Sequence, residues 1–150
     1  MEKEKKEGWT SPEAAENYAR MADIIIPERR EILSIISKLV IELGSVNTKV
    51  IDLGCGLGDV TAEILTLKPD ASVLMLDFSD EMIRRSRERF KDNGNITVVK
   101  QDLNQGIAGI IKDRNFDAVV SCFSIHHVDF ENRVKLYSDI LEVLKDQGLF

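Results

Sequence analysis

From residue 49 onward, short unbroken apolar runs alternate with longer segments whose apolar residues recur every three or four positions. The runs at 49–53, 71–76, 96–99 and 116–121, with another starting near 149, predict strands. The intervening segments predict helices over about 58–67, 80–92, 105–113 and 130–145. The strand runs are solidly apolar rather than alternating, so both faces of each strand are predicted to be buried. That points to the α/β class, a doubly wound and mostly parallel sheet covered by helices. Two helices precede it. Ser11 reads as an N-cap with Pro12 at the first helical position, opening a helix to about Met21. Pro27 interrupts it. A second helix, roughly 28–43, carries Ile32, Leu33, Ile35, Ile36, Leu39, Val40 and Leu43 on one face, and Gly44 stops it. This divides the chain into an N-terminal helical cap segment, 1–44, and an α/β domain, 45–150.

The chemistry concentrates where the first strand meets its helix. Residues 50–61 read Val-Ile-Asp-Leu-Gly-Cys-Gly-Leu-Gly-Asp-Val-Thr. A turn with Gly54, Gly56 and Gly58 lets a ligand lie against the backbone, with helix N–H groups directed at it. The dinucleotide fingerprint is G-x-G-x-x-G/A. Here the spacing is G-x-G-x-G, and Asp59 stands where that fingerprint wants a small residue. A carboxylate there would face a pyrophosphate unfavourably. Asp52, just before the first glycine, suits a cationic ligand better than a phosphate.

This stretch closely resembles the first motif of the class I S-adenosylmethionine-dependent methyltransferases, acidic-x-G-x-G-x-G, which Asp52, Gly54, Gly56 and Gly58 match position by position. Further matches follow in order. The run Ala71–Asp77 ends in an acid about twenty residues past Gly58, the spacing at which a carboxylate can accept both ribose hydroxyls. Ser79 reads as the N-cap of the next helix, so Asp77 is not needed for its dipole, and Phe78 stands beside it. The run Ile96–Asp102 ends in another acid, followed by Leu103. The resemblance implies that Asp102 accepts from the adenine amino group and that Leu103 packs on the ring; an ordinary turn Asp explains the position equally well. Residues 116–128 resemble the fourth strand and the loop over the methyl group, which implies that Ser121 and the loop after it lie near that group and bind the cofactor. Leu144-Lys145-Asp146-Gln147-Gly148 resembles the entry to the fifth strand, where Asp146 and Gln147 replace the usual Pro and first Gly.

The resemblance covers about residues 45–150 and implies a Rossmann-like fold binding S-adenosyl-L-methionine, with S-adenosyl-L-homocysteine as product. The glycines would line its methionine and ribose portion, and Asp52 would orient the loop and contact the amino group. Cys55 reads as a small filler of the turn. The family's Asn/Asp-Pro-Pro-aromatic motif for amino acceptors is absent, since the matching residues are Ser121-Cys122-Phe123-Ser124. The expected activity is methyl transfer to a small-molecule acceptor. Two other readings are a nucleotide-dependent oxidoreductase and a non-catalytic binding module. His126 and His127 are either a base near the acceptor or a cap of the loop. As neighbours they are a poor metal pair, and no metal is expected. Trp9, with Tyr18 and Met21, either belongs to a lid over the cofactor or covers the edge of the core.

Composition narrows the partners. With a net charge of −6 and acids interleaved among Arg84, Arg85, Arg87 and Arg89, strong nucleic-acid binding is not expected. No apolar run reaches the ~18 residues of a membrane span. The charged start lacks the apolar stretch of a signal peptide. Cys55 and Cys122 form no disulfide framework, which suits a reduced, cytoplasmic protein. The chain stops two residues into the expected fifth strand, so the final strands of the resembling fold are expected to be missing. The sheet edge left open is a candidate homodimer surface.

Overall fold

In a computed structural model describing residues 11–43 and 45–150, five strands form one parallel sheet. In chain order the elements are α1 (Pro12–Ile25), α2 (Arg29–Leu43), β1 (Lys49–Leu53), α3 (Asp59–Leu67), β2 (Ser72–Asp77), α4 (Asp80–Arg89), β3 (Ile96–Lys100), β4 (Phe116–Val120), α5 (Phe130–Val143) and β5 (Leu144–Leu149). Single 3₁₀ turns sit at Leu103–Gln105 and Ile125–His127. The strand order is β3-β2-β1-β4-β5, and every pairing is parallel. The direction of chain progression reverses between β1 and β4. This is the Rossmann-like doubly wound arrangement, whose ligand crevice lies outside the carboxyl ends of the strands at the reversal.

The solid apolar strands sort by parity into two cores. Ile51, Leu53, Leu76 and Val119 pack with Leu136, Ile140 and Val143 of α5. Val50, Val73, Met75, Ala118 and Val120 pack with Leu33 and Val40 of α2 and Val60 and Ile64 of α3. A sheet covered on both faces leaves little for polar side chains except at the strand ends. Asp117 is the exception within β4. Its buried carboxylate accepts the N–H groups of Ser45 and Lys49, at 3.1 and 2.8 Å, and pairs with Lys145 of β5.

Four expectations are corrected. The helix expected over 105–113 does not form. Asp139 of α5, itself buried, takes the N–H groups of Ile107 and Ala108 at 2.7 and 3.1 Å. Gly106 turns at φ +74°, and a Cβ there would run into Asp139 and Lys135. Only a single turn forms there, with the Ile110 and Ile111 N–H groups both donating to the Ile107 carbonyl at 3.1 Å. The expected helix over 130–145 stops at Val143, and β5 begins at Leu144 with no connecting turn, not near 149. Leu144 is already extended and pairs with Phe116. An irregularity that includes Gln147 at φ +63° then delays the next pairing, Ala118 with Leu149. The first helix continues past Met21 to Ile25. On α2 only part of the expected apolar face is buried: Leu33 and Val40 enter the core, while Ile35 and Leu39 are largely exposed. The helix stop assigned to Gly44 lies outside the described residues.

Candidate active site

The carboxyl ends of β1, β2 and β4 open into a cavity of about 830 Å³. Its floor is the turn after β1. Gly54, Gly56 and Gly58 all have positive φ, at +66, +53 and +79°, which side chains with a Cβ adopt at a cost. Their surroundings differ. A Cβ on Gly54 would collide with Ser124. One on Gly58 would meet Phe90 Cε2 at 2.5 Å and Met75 Cε at 2.6 Å. One on Gly56 would meet nothing within 4 Å, because that position faces the open cavity.

Asp77, at the end of β2, braces the turn. One carboxylate oxygen accepts the N–H of Gly56 and the other that of Ser79, both at 2.9 Å. Burial raises its pKa, and these N–H groups oppose the rise. Asp52, at the end of β1, is 1 % exposed. The Thr61 hydroxyl donates to it at 2.8 Å. Burial pushes its pKa to about 7; the Thr61 bond pulls it down, and the charges of Asp77 and Asp59 push it up. Phe78 lines the cavity beside Asp77. Across it lie Asp102 and Leu103. Asp102 caps the 3₁₀ turn, its Oδ1 accepting the Asn104 N–H at 3.0 Å, and Leu103 is buried against the α5 core.

The loop after β4 closes the other wall. The Ser121 and Ser124 hydroxyls both donate to the Leu53 carbonyl, at 3.0 and 2.8 Å, and lie 2.8 Å apart. Ser121 therefore does not line the cavity as expected: it pins the loop to the end of β1, and Cys122, Phe123 and Ser124 face inward instead. Cys55 also lines the cavity. Burial raises both thiol pKa values, that of Cys122 to about 11, so both are neutral thiols and poor nucleophiles at pH 7. His126 and His127 sit exposed at the mouth. Their rings do not diverge as neighbours usually do: the 3₁₀ turn brings the centroids to 4.0 Å, tilted by 45°. Among the described residues no group of three or more His, Cys, Asp or Glu could hold a metal ion.

The cavity wall also holds residues that escaped the sequence reading, Arg29 and Arg133 among them. Arg29 is buried, its Nη1 on Asp23 at 2.7 Å, its Nη2 on Asp59 at 2.5 Å, and its guanidinium over the Tyr18 ring at 5.7 Å. Its Nε has no hydrogen-bond partner. The one sequence signal was its place in the first turn of α2, where a cation opposes the helix dipole and so needs another reason to be there. Asp59 is also held by Arg89 at 2.7 Å. Burial works against its charge, but the bonds from Arg89 and Arg29 keep its pKa below the usual carboxylate value. Tyr18 carries α1 to the cavity wall. Trp9, the other aromatic proposed for a lid, lies outside the described residues. Among these residues no helix is long and apolar enough to cross a membrane.

A strand-end crevice with Asp52 near the end of β1, Asp77 at the end of β2 and a glycine turn between them lies where an open parallel α/β sheet takes its ligand. The match to known sequences names the class. The methyltransferase domain family matches residues 50–148, and the chain belongs to that family, the class I S-adenosylmethionine-dependent methyltransferases. The ubiquinone/menaquinone biosynthesis C-methyltransferase UbiE of Pasteurella multocida is 32% identical over 101 residues, spanning 67% of this chain and 37% of that protein. A solved structure from Methanococcus maripaludis superposes with a TM-score of 0.72 at 24% identity, covering 91% of this chain and 60% of that one, a likeness of fold. The glycopeptide N-methyltransferase MtfA, solved with S-adenosyl-L-methionine, has a TM-score of 0.63 at 25% identity, covering 78% and 53%. The chain spans between about a quarter and a half of the length of the curated relatives it matches.

Proposed function

We propose that the cavity binds S-adenosyl-L-methionine and that the chain takes part in methyl transfer to a small-molecule acceptor. The observation that carries this reading is the position of Asp77. Its carboxylate holds the glycine turn through Gly56 and faces the cavity, which Gly56 leaves open, so a ribose there would meet a fixed pair of acceptors. Asp102 and Leu103 would take the adenine, and Asp52 a cationic portion of the methionine half. Arg29, with its buried unpartnered Nε, lines the same cavity and would serve a carboxylate. Residues 1–44 would act as the cap, through Tyr18, and 45–150 as the cofactor domain.

The bound sulfonium supplies the activated methyl group. The protein's share is to orient it and exclude water, with the loop 121–128 over the reacting end. His126 and His127, exposed at the mouth, would meet an acceptor rather than the buried part of a cofactor. A dinucleotide fits less well, because the N-terminus of α3 already holds the Asp59 carboxylate, paired with Arg29 and Arg89.

Calorimetric titration with S-adenosyl-L-homocysteine tests the reading. Micromolar binding that weakens strongly in Asp77→Ala supports it. No binding by a folded chain, or tighter binding of a nicotinamide dinucleotide, overturns it.

A further inference from the structure

We propose that the mouth of the cavity takes an acceptor that carries an anionic group on an apolar body, and that Arg133 selects it by binding the anion. The proposal rests on the cofactor reading above and names the chemical class of the acceptor.

The cavity lining falls into two parts. The cofactor reading uses the strand-end acids, the glycine turn and Arg29. It leaves Phe123, His126, His127, Phe130 and Arg133, which come from the loop after β4 and the first turn of α5. Charge separates the two arginines. Arg29 already holds Asp23 and Asp59. Arg133 pairs with no carboxylate among the described residues. Its Nε–H donates to the Val128 carbonyl at 2.9 Å and an Nη2–H donates to the His126 carbonyl at 3.2 Å. These bonds fix the guanidinium against the loop without neutralising it. A guanidinium has five N–H donors, and the two carbonyls use one each on Nε and Nη2. Both donors on Nη1 and one on Nη2 are left, an end-on fork that fits two oxygens of a carboxylate or a phosphate. Arg133 also stands in the first turn of α5, where a cation opposes the helix dipole and gains nothing from the helix itself.

The apolar part has its own signal. Phe123 lies at φ +56°, in the left-handed region that a bulky side chain rarely enters. Such strain persists only where the surrounding structure enforces it, and it clusters at ligand sites. Phe123 lines the cavity and is 36 % exposed; Phe130, which opens α5, lines it too and is 80 % exposed. Neither belongs to the two cores. A pocket draws its specificity from a few placed polar groups among apolar ones. Two exposed rings and one fixed, unpaired cation therefore match an apolar body with an anionic group. A cationic acceptor would meet Arg133 as a like charge.

The test is ligand-observed NMR titration of the chain saturated with S-adenosyl-L-homocysteine. The probes share a phenyl body: phenylacetate, phenyl phosphate, the neutral phenylacetamide and the cationic benzylamine. We expect millimolar binding of an anionic probe, about tenfold tighter than the amide, the step from a neutral to a charge-assisted hydrogen bond. Whichever of the carboxylate and the phosphate binds tighter identifies the anion. Arg133→Gln should abolish the preference, and Arg133→Lys should restore part of it. Phe130→Ala should weaken anion and amide alike. The comparison of probes on the unaltered chain stands even if Arg133→Gln does not fold. Equal binding of anion and amide, tighter binding of the amine, a preference that survives in Arg133→Gln, unchanged affinities in Phe130→Ala, or no binding of any probe to a chain that holds S-adenosyl-L-homocysteine overturns the proposal and leaves the cofactor reading intact. A folded chain that does not bind S-adenosyl-L-homocysteine overturns both.

Discussion

The Asp77 carboxylate and the Gly56 N–H, 2.9 Å apart, join the end of β2 to the tip of the glycine turn after β1. The side chain proposed to hold the ribose thus also shapes the floor beneath it. Asp77→Ala removes both contributions, and a hydrogen bond to a charged group is worth about 1.5–3 kcal/mol. We expect affinity for S-adenosyl-L-homocysteine to fall at least tenfold and the melting temperature to drop as well. Asp77→Asn, which keeps one acceptor oxygen, should fall between. Calorimetry and thermal melts check both.

The glycines of the turn should separate by readout. Gly58→Ala combines a positive φ with contact on Phe90 and Met75, so a loss of about 2–4 kcal/mol of stability is expected in denaturant titration. Gly56→Ala meets open space, and its stability cost is the backbone term alone, about 1–2 kcal/mol. Its methyl group enters the cavity, so its larger effect should be on cofactor affinity.

Arg29 links three elements, and its removal strands charge on two sides. Arg29→Ala leaves Arg30 for Asp23 and Arg89 for Asp59, so the loss is partial. Breaking a buried pair costs about 3–5 kcal/mol, and with these substitutes a loss of about 2–4 kcal/mol is expected. Asp59→Asn in the same background should recover part of it in a double-mutant cycle.

Stability of the ligand-free chain should depend on Asp52 with a sign opposite to that of most carboxylates. Its pKa is raised by folding, to about 7 from 3.8. The penalty of holding it charged is therefore absent below the unfolded value and grows as pH rises through 7. Asp52→Asn should melt higher than the unaltered chain at pH 8, and the gap should close by pH 4. A constant gap across that range would contradict the assignment.

The strands and the acids closing them were legible because each is a local signal. Valine- and isoleucine-rich runs mark buried strands, glycines mark a turn that needs positive φ, and Asp52, Asp77 and Asp102 each stand where a run stops. Parallel pairing carries such end residues to one edge of the sheet, so spacing along the chain already implied their convergence.

What only the tertiary structure decided lies in contacts between distant segments. Nothing near residues 105–113 tells that Asp139, about thirty positions later, binds the Ile107 and Ala108 N–H groups. Nothing around Ser121 tells that its hydroxyl turns to the Leu53 carbonyl while Ser124 packs against Gly54. The burial of Arg29 depends on Asp59 arriving from another helix. Apolar periodicity and turn chemistry act over a few residues and can be read in order. The partner of a polar group is chosen by the packed fold, because a buried donor or acceptor must be satisfied by whichever group the fold brings within reach.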